Sequence, residues 1–417
     1  MIVMFGKWKV GNSVKRLLTL MKMECILMDD RDLNDEILIK SDLIVITPGI
    51  KQSHKIYQNY SKKILSELNF LWKFIIPQIW FKSNPTWIGI TATNWKSTTT
   101  WITYNIFKWL LPDKKVWITW NFEISLSDIL SEIIENNDLN KEHIFIVETS
   151  SFMLYKLEDL IFDYGILLNI AIDHLDWHKD WEEYRDSKLM LLRNIKYRWI
   201  TSDQVFQYLD DGTKLHTKIY DWIFDLSKTN FLWKHNQENI SAVCILSSLY
   251  FENKWLDRNQ WLFESVLNDI KPLAHRLSLM CKIDWIKIYD DWICTSAHAL
   301  NVAIWSFDEK IILIAWWYDK WEDYSWLQNN FETSVWLAIL MWQTAGKFEK
   351  ICISWNVDYI IVENLNDAIQ TSYKKAKEKW FNTILYSPWS ASFDMFKNVY
   401  HRIEEFEKEI DLLKNLN

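Results

Sequence analysis

Short apolar runs, each closed by a polar segment and followed by a helical pattern, recur along the chain. Ile2–Phe5 leads through Gly6-Lys7-Trp8-Lys9-Val10-Gly11 into a helix-compatible stretch over Ser13–Met23, and the runs Cys25–Met28 and Asp42–Ile46 follow. Ile88–Thr91, Ile144–Val147 and Ile166–Asn169 make a second set, with a helix over Glu182–Leu192. Ile286–Tyr289, Ile311–Ala315, Ile351–Ile353 and Thr383–Tyr386 make a third, with helices from Ala297 and over Leu365–Lys379 and a solvated terminal helix over Glu404–Asn417. Buried parallel strands read as continuous apolar runs and need a crossover between them, so the pattern predicts an α/β fold. Asn84-Pro85 punctuates the pattern. The expected domains are 1–83, 84–272 and 273–417.

The polar segments carry the chemistry. After Ile88–Thr91 comes Ala92-Thr93-Asn94-Trp95-Lys96-Ser97-Thr98, one lysine among hydroxyls before a helix. That is the layout of a phosphate-binding loop: Lys96 would reach the outer phosphates, Ser97 would ligate Mg²⁺, and the helix start would favour the anion. The residue before the lysine should be glycine, where backbone must approach phosphate without a Cβ. Here it is Trp95, and Gly89 lies one place too early for the loop's first glycine. Glu148, just past a strand, is placed for Mg²⁺; a solvated loop acid is the plain alternative. Asp173-His174-Leu175-Asp176-Trp177-His178 sets two histidines and two aspartates past a buried strand. Lys188 rides the following helix. Asn236 and Asn239 sit three apart on one helix face. In the last domain, Asp290–Ser296, Trp316–Asp323 and Ser387–Phe396 all follow strand ends, where a parallel sheet lines its ligand crevice. Gly6–Gly11 reads as a dinucleotide-type fingerprint if residue 8 is glycine, and otherwise as a tight strand–helix turn.

Composition changes the reading of Trp95. The 417 residues hold 7 glycines and 28 tryptophans, whereas average usage of ~7% would supply roughly 29 glycines. The tryptophans stand where glycine chemistry is wanted: Trp380 at a helix C-terminus, Trp255 and Trp285 in turns, Trp316-Trp317 after a strand. The expectation is that most are glycine in the living cell, UGA codons of the source lineage having been read as tryptophan. Otherwise the chain is ordinary: 49% hydrophobic, 24% charged, with a net charge of −8 that argues against nucleic acid as partner. No run reaches the ~18–20 apolar residues of a membrane span, and Met1–Phe5 is too short for a signal peptide. Five scattered cysteines without C-x-x-C spacing suit reduced cytoplasmic thiols.

Together these segments resemble the Mur ligases, ATP-dependent amide-forming enzymes of peptidoglycan synthesis. The motifs are T-x-T-N-[G]-K-S-T at Thr91–Thr98, E-x-S-S-F at Glu148–Phe152, D-H-L-D-x-H at Asp173–His178, [G]-x-H-N-x-x-N at Trp233–Asn239, and His275-Arg276. Closer to the D-glutamate-adding members are Asp29-Asp30-Arg31, Asp319-Lys320-[G]-x-Asp323 and S-P-[G]-x-A-S-F-D at Ser387–Asp394. Every bracketed glycine is tryptophan here. Trp177 falls where the family tolerates an aromatic residue, and Ile403 replaces a frequent glycine.

The resemblance implies a Rossmann-like N-terminal domain, a central P-loop ATPase domain and a Rossmann-like C-terminal domain, in a cytoplasmic monomer. It implies ATP and Mg²⁺ as cofactors, and UDP-N-acetylmuramoyl-L-alanine and D-glutamate as substrates. Asp30 and Arg31 would bind the uridine diphosphate; Asn121 and Ser150 would touch the muramoyl-alanine part. Thr93, Asn94, residue 95, Lys96, Ser97 and Thr98 would hold ATP, with Asn236, Asn239, Arg276 and Asp291 around its adenine, ribose and phosphates. Ser97 and Glu148 would ligate one Mg²⁺, and His174 and Lys188, the latter as a carbamate, a second. Thr295, Lys320, Ser392 and Phe393 would form the D-glutamate pocket. Other Mur-type or folate polyglutamate ligases are the near alternatives. A non-catalytic nucleotide-binding protein is the alternative if the tryptophans stand as written.

Overall fold

The computed structural model describes residues 1–416 apart from 121–123, 156, 158, 159, 215, 216, 220–230, 232, 233, 254–259, 293, 295, 296, 316–326, 342–344 and 389–398. Three sheets follow one another along the described chain. The first has four parallel strands, β1 (Ile2–Phe5), β2 (Cys25–Met28), β3 (Leu43–Ile46) and β4 (Ile64–Ser66), in the order β2-β1-β3-β4. The second has six parallel strands: β5 (Thr86–Thr91), β6 (Lys115–Thr119), β7 (His143–Glu148), β8 (Phe162–Leu167), β9 (Ile195–Thr201) and β10 (Thr217–Ile219), ordered β10-β9-β8-β5-β7-β6. The third is parallel except at one edge. There β11 (Ser278–Ile283) runs antiparallel to β12 (Ile286–Asp290), beyond which lie β16 (Thr383–Tyr386), β13 (Ile311–Ala315), β14 (Val335–Met341) and β15 (Asp358–Val362).

Burial explains why the second sheet could be read so directly. Every residue of β5 and β7 is buried, as both faces of a parallel sheet must be. Its register is what builds a site. Ile90 pairs with Glu148 and Thr91 with Leu167, so β5, β7 and β8 end side by side and their following loops converge. Gly89, in the middle of β5, is too early to cradle a phosphate and serves packing instead. A Cβ there would meet Leu191 Cδ1 at 2.6 Å. Its absence lets the helix Trp181–Arg193, which carries Lys188, lie against the strand.

Met1–Leu232 with Asn236–Ile270 form one compact unit, and Trp233–His235 with Lys271–Asn417 form another. Within the first unit, one apolar cluster joins both sheets: Met4, Val14 and Phe70 belong to it together with Leu130, Phe145 and Phe162. The second unit has its own core, in which Ile288, Ile314 and Ile384 of the sheet pack with Tyr373 and Phe406.

Most strands lie where the apolar runs put them, with one correction. Ile351–Ile353 is no strand; it belongs to the helix Ala345–Ser354, and the strands on either side of it are β14 and β15. Three apolar residues in a row cannot distinguish the two. The spacing of burial does: Phe348, Cys352 and Trp355 are buried while Ile353 is exposed. The first helix begins at Lys9, earlier than its polar start suggested. Gly6 has φ +114°, and a Cβ on Gly11 would lie 1.9 Å from the Gly6 carbonyl oxygen, so both ends of that turn need glycine. Trp8, between them, is extended and exposed. No helix among the described residues is long and apolar enough to cross a membrane.

Candidate active site

The loop after β5 is held by its own backbone against the end of β8. Thr93 N–H donates to the Asn169 carbonyl at 3.0 Å and Asn94 N–H to Asn169 Oδ1 at 2.9 Å. Asn169 Nδ2 returns a bond to the Asn94 carbonyl at 3.2 Å. Thr93 Oγ1 accepts from Ala171 N–H at 2.9 Å and lies 2.8 Å from the Tyr184 hydroxyl. Trp95 then turns the chain into the helix Lys96–Leu110 with φ +69°, ψ +7°. That left-handed conformation costs an L-residue roughly 1–2 kcal/mol and glycine nothing. The Trp95 ring is half-buried against the core of the central sheet.

Beyond the loop, Ser97 Oγ donates to Glu148 Oε1 at 3.1 Å, and both residues are buried. Glu148 Oε2 and Thr98 Oγ1 have no hydrogen-bond partner among the described residues. A buried carboxylate oxygen left open beside a hydroxyl suits a divalent cation, since an uncompensated buried charge is costly. Lys188 is 2% exposed, and its Nζ donates to the Ala92 carbonyl at 2.7 Å. Burial, reinforced by the charge of Lys96, pushes its pKa well below the ordinary lysine value despite Asp173 and Glu148 nearby. Burial thus favours the neutral amine over the ammonium. His174 stands at the rim with its side chain 42% exposed and φ +54°. His178 is buried, with Nε2 2.9 Å from Ser151 Oγ. Burial pushes it down to about 4, against the pull of Glu183.

The remaining expected residues lie in several places. Asp30 Oδ1 meets His54 Nε2 at 2.8 Å, while Arg31 turns back on Asp29 at 2.5 Å and is otherwise exposed. Ser150 caps the short helix Ser151–Leu154, accepting from Met153 N–H at 3.3 Å. Asn236 and Asn239 are buried and bonded to each other at 3.1 Å. In the second unit, Asp291 is buried and accepts from Ser387 Oγ at 3.1 Å; burial pushes its pKa up to about 7. The charge of Arg276 opposes that rise, and neighbouring His275 Nδ1 lies 2.5 Å from Asp290 Oδ2. Asn121, Thr295, Lys320, Ser392 and Phe393 lie outside the described residues. The sequence reading missed Asn169 and Tyr184. Asn169 closes an apolar run in the way that Thr91 does, and that much was visible; Tyr184 had no signal beyond its helix.

The loop, Glu148, the histidine segment and Lys188 all fall within residues 90–217, which match the family model described as the Mur ligase middle domain. That segment is similar to a Mur ligase middle domain. The chain is 29% identical over 435 aligned residues to the UDP-N-acetylmuramoylalanine--D-glutamate ligase of Aquifex aeolicus (strain VF5), covering 98% of each chain. It is 26% identical to the enzyme of the same name from Thermosipho melanesiensis, covering 98% of this chain and 92% of the relative. In fold it is similar to the UDP-N-acetylmuramate-alanine ligase MurC of Thermotoga maritima, with a TM-score of 0.59 and 14% identity over 99% of both chains. The Mur-type middle domain thus holds every described residue of the phosphate loop and the buried Glu148–Lys188 neighbourhood.

Proposed function

We propose that this chain is an ATP-dependent ligase that joins D-glutamate to UDP-N-acetylmuramoyl-L-alanine in the cytoplasm, as a monomer. The observation that carries the reading is the Ser97–Glu148 pair with buried Lys188 behind the loop, inside the matched segment. Near-full-length similarity to D-glutamate ligases supports the substrate choice over other Mur-type or folate ligases. In this reading, residues 1–83 bind the uridine diphosphate part through Asp30 and Arg31, 84–272 bind ATP, and 273–417 bind D-glutamate.

The chemistry follows from charge. Lys96 and the helix start stabilise the transferring phosphoryl group while the L-alanine carboxylate attacks it in line. The D-glutamate amine then attacks the acyl phosphate, a tetrahedral intermediate forms, and phosphate leaves. Mg²⁺, when bound, would neutralise the phosphate oxygens; Ser97 and Glu148 would hold one ion, and His174 and Lys188 a second. Lys188 fits that task only as a carbamate, because an ammonium cannot ligate a cation. A neutral buried amine can add CO₂, releasing one proton and leaving an anionic oxygen donor.

We also infer that residues 95 and 380 are glycine in the cell. Both carry left-handed backbone, φ +69° and +61°. At Trp380 the N–H of Phe381 bonds the Ala376 carbonyl at 3.0 Å, the C-terminal cap that glycine favours. Peptide masses of the protein isolated from its own cells test this: tryptophan at both positions refutes it. If residue 95 is tryptophan, a nucleotide-binding protein without ligase activity becomes the better reading.

The function itself is tested with protein carrying glycine at position 95 and the other motif tryptophans. Phosphate release from ATP should require both UDP-N-acetylmuramoyl-L-alanine and D-glutamate. Release that ignores either substrate, or no release at all, would sink the proposal.

A further inference from the structure

The loop after β3 touches two places at once. Gly49, Ile50, Lys51, Ser53, His54 and Lys55 line an open cleft of about 510 Å³, and His54 Nε2 ties its wall to Asp30 Oδ1 at 2.8 Å. The same loop grips the histidine segment of the central sheet. Trp177 Nε1 donates to the Ile50 carbonyl at 3.1 Å, and Lys51 Nζ pairs with Asp176 Oδ2 at 2.9 Å. Gln52 does the most. Its Nε2 donates to Glu183 Oε2 at 2.8 Å, and its Oε1 accepts from the Tyr155 hydroxyl at 3.0 Å. Glu183 Oε2 in turn accepts from Lys179 N–H at 2.9 Å and lies 3.5 Å from His178 Nδ1.

The contacts differ in weight. Lys51 and Asp176 are both more than half exposed, 52% and 69% at their side chains, and such pairs contribute little. Gln52 is half-buried and bonded at both ends, one bond going to a carboxylate, which is worth more and costs more to lose.

We propose that Gln52 is a positioning residue for the ligase reaction, a claim that rests on the function proposed above. Its two-ended amide holds the segment 173–181, and so His174, in fixed relation to the cleft loop of the first sheet. The muramoyl-alanine end of the substrate would then meet the phosphate loop at a set distance whenever its uridine diphosphate end fills the cleft. Charge alone could not do this; it takes an amide, which donates to Glu183 at one end and accepts from Tyr155 at the other.

The test separates this claim from the ligase reading. Hydrogen exchange is measured at the amides of Trp177 and His178, which bond the His174 carbonyl at 3.0 Å. Gln52→Met keeps the length of the side chain and removes both bonds, so exchange there should quicken about tenfold. Lys51→Met should change it less than about twofold. In steady-state assays Gln52→Met should lower kcat about tenfold with KM for ATP unchanged; a merely structural residue would lower the melting temperature and leave that split absent. Exchange equal to the parent overturns the proposal whatever the activity. Faster exchange with unchanged kcat overturns the catalytic part. A parent protein with no ligase activity counts against the function and leaves the exchange result standing. Should Gln52→Met fail to fold, Tyr155→Phe removes one of the two bonds and should give an intermediate exchange rate.

Discussion

A lysine kept out of water is the most telling single residue in this chain. Lys188 is buried, and among the described residues its amine hydrogen-bonds a backbone carbonyl that any donor would satisfy. A structural role alone would not select it, because burying an ammonium is costly. The carbamate reading turns that cost into a requirement. Lys188→Met should therefore lower ligase activity about 100-fold or more, while the melting temperature stays level or rises. Phosphate-release rates and thermal melts on the same preparation check both halves; a fall in melting temperature that tracks the loss of activity would point to a structural lysine instead. Tryptophans can be sorted at this scale too. Trp177 is 7% exposed, donates from its indole and packs in tilted and edge-on contacts among Phe152, Tyr155 and His178, so it is used as tryptophan. Trp95 and Trp380 occupy backbone that only their absent counterpart, glycine, adopts without strain.

Among elements, the short helix Glu67–Phe70 carries an unusual charge. Glu67 is 5% exposed and accepts from Ser127 Oγ at 2.6 Å, which joins the region after β4 to the helix Leu126–Glu135. Burial is the main reason that its pKa rises from 4.5 to about 7; Ser127 opposes the rise and Asp128 adds to it. The sign follows. The folded state holds this proton more tightly than the unfolded chain, so stability is full below about 4.5 and falls as pH climbs toward about 7. Glu67→Gln should flatten that slope, by an amount of order 3 kcal/mol at most across the window. Urea unfolding at pH 5 and pH 8 measures it, and an unchanged slope would refute it. Nothing in the sequence marked Glu67, because a lone glutamate at a helix start reads as a solvated first-turn acid. Loops past strand ends were legible for the opposite reason: apolar runs locate the strands, and a parallel sheet puts polar chemistry at one edge of them. The misread Ile351–Ile353 shows where this fails, when a run is too short to carry a period.

For the molecule as a whole, the three strand-and-helix sets were visible in the sequence as three sheets, but the way that two of them share an interior was not. Alternating runs identify faces and say nothing about which face meets which. Met4, Val14 and Phe70 lie in one apolar cluster with Leu130, Phe145 and Phe162, so one face of the first sheet closes over an interior shared with the second, while Val3, Phe5, Ile44 and Ile46 pack a core of its own on the other face. Asn84-Pro85, which reads as a border between domains, joins two sheets that share this cluster. A gene cut at that bridge would yield two fragments, each with an oily face that only the other can cover. That is the arrangement of a split reporter: two halves that meet along one buried face when they are made in the same cell.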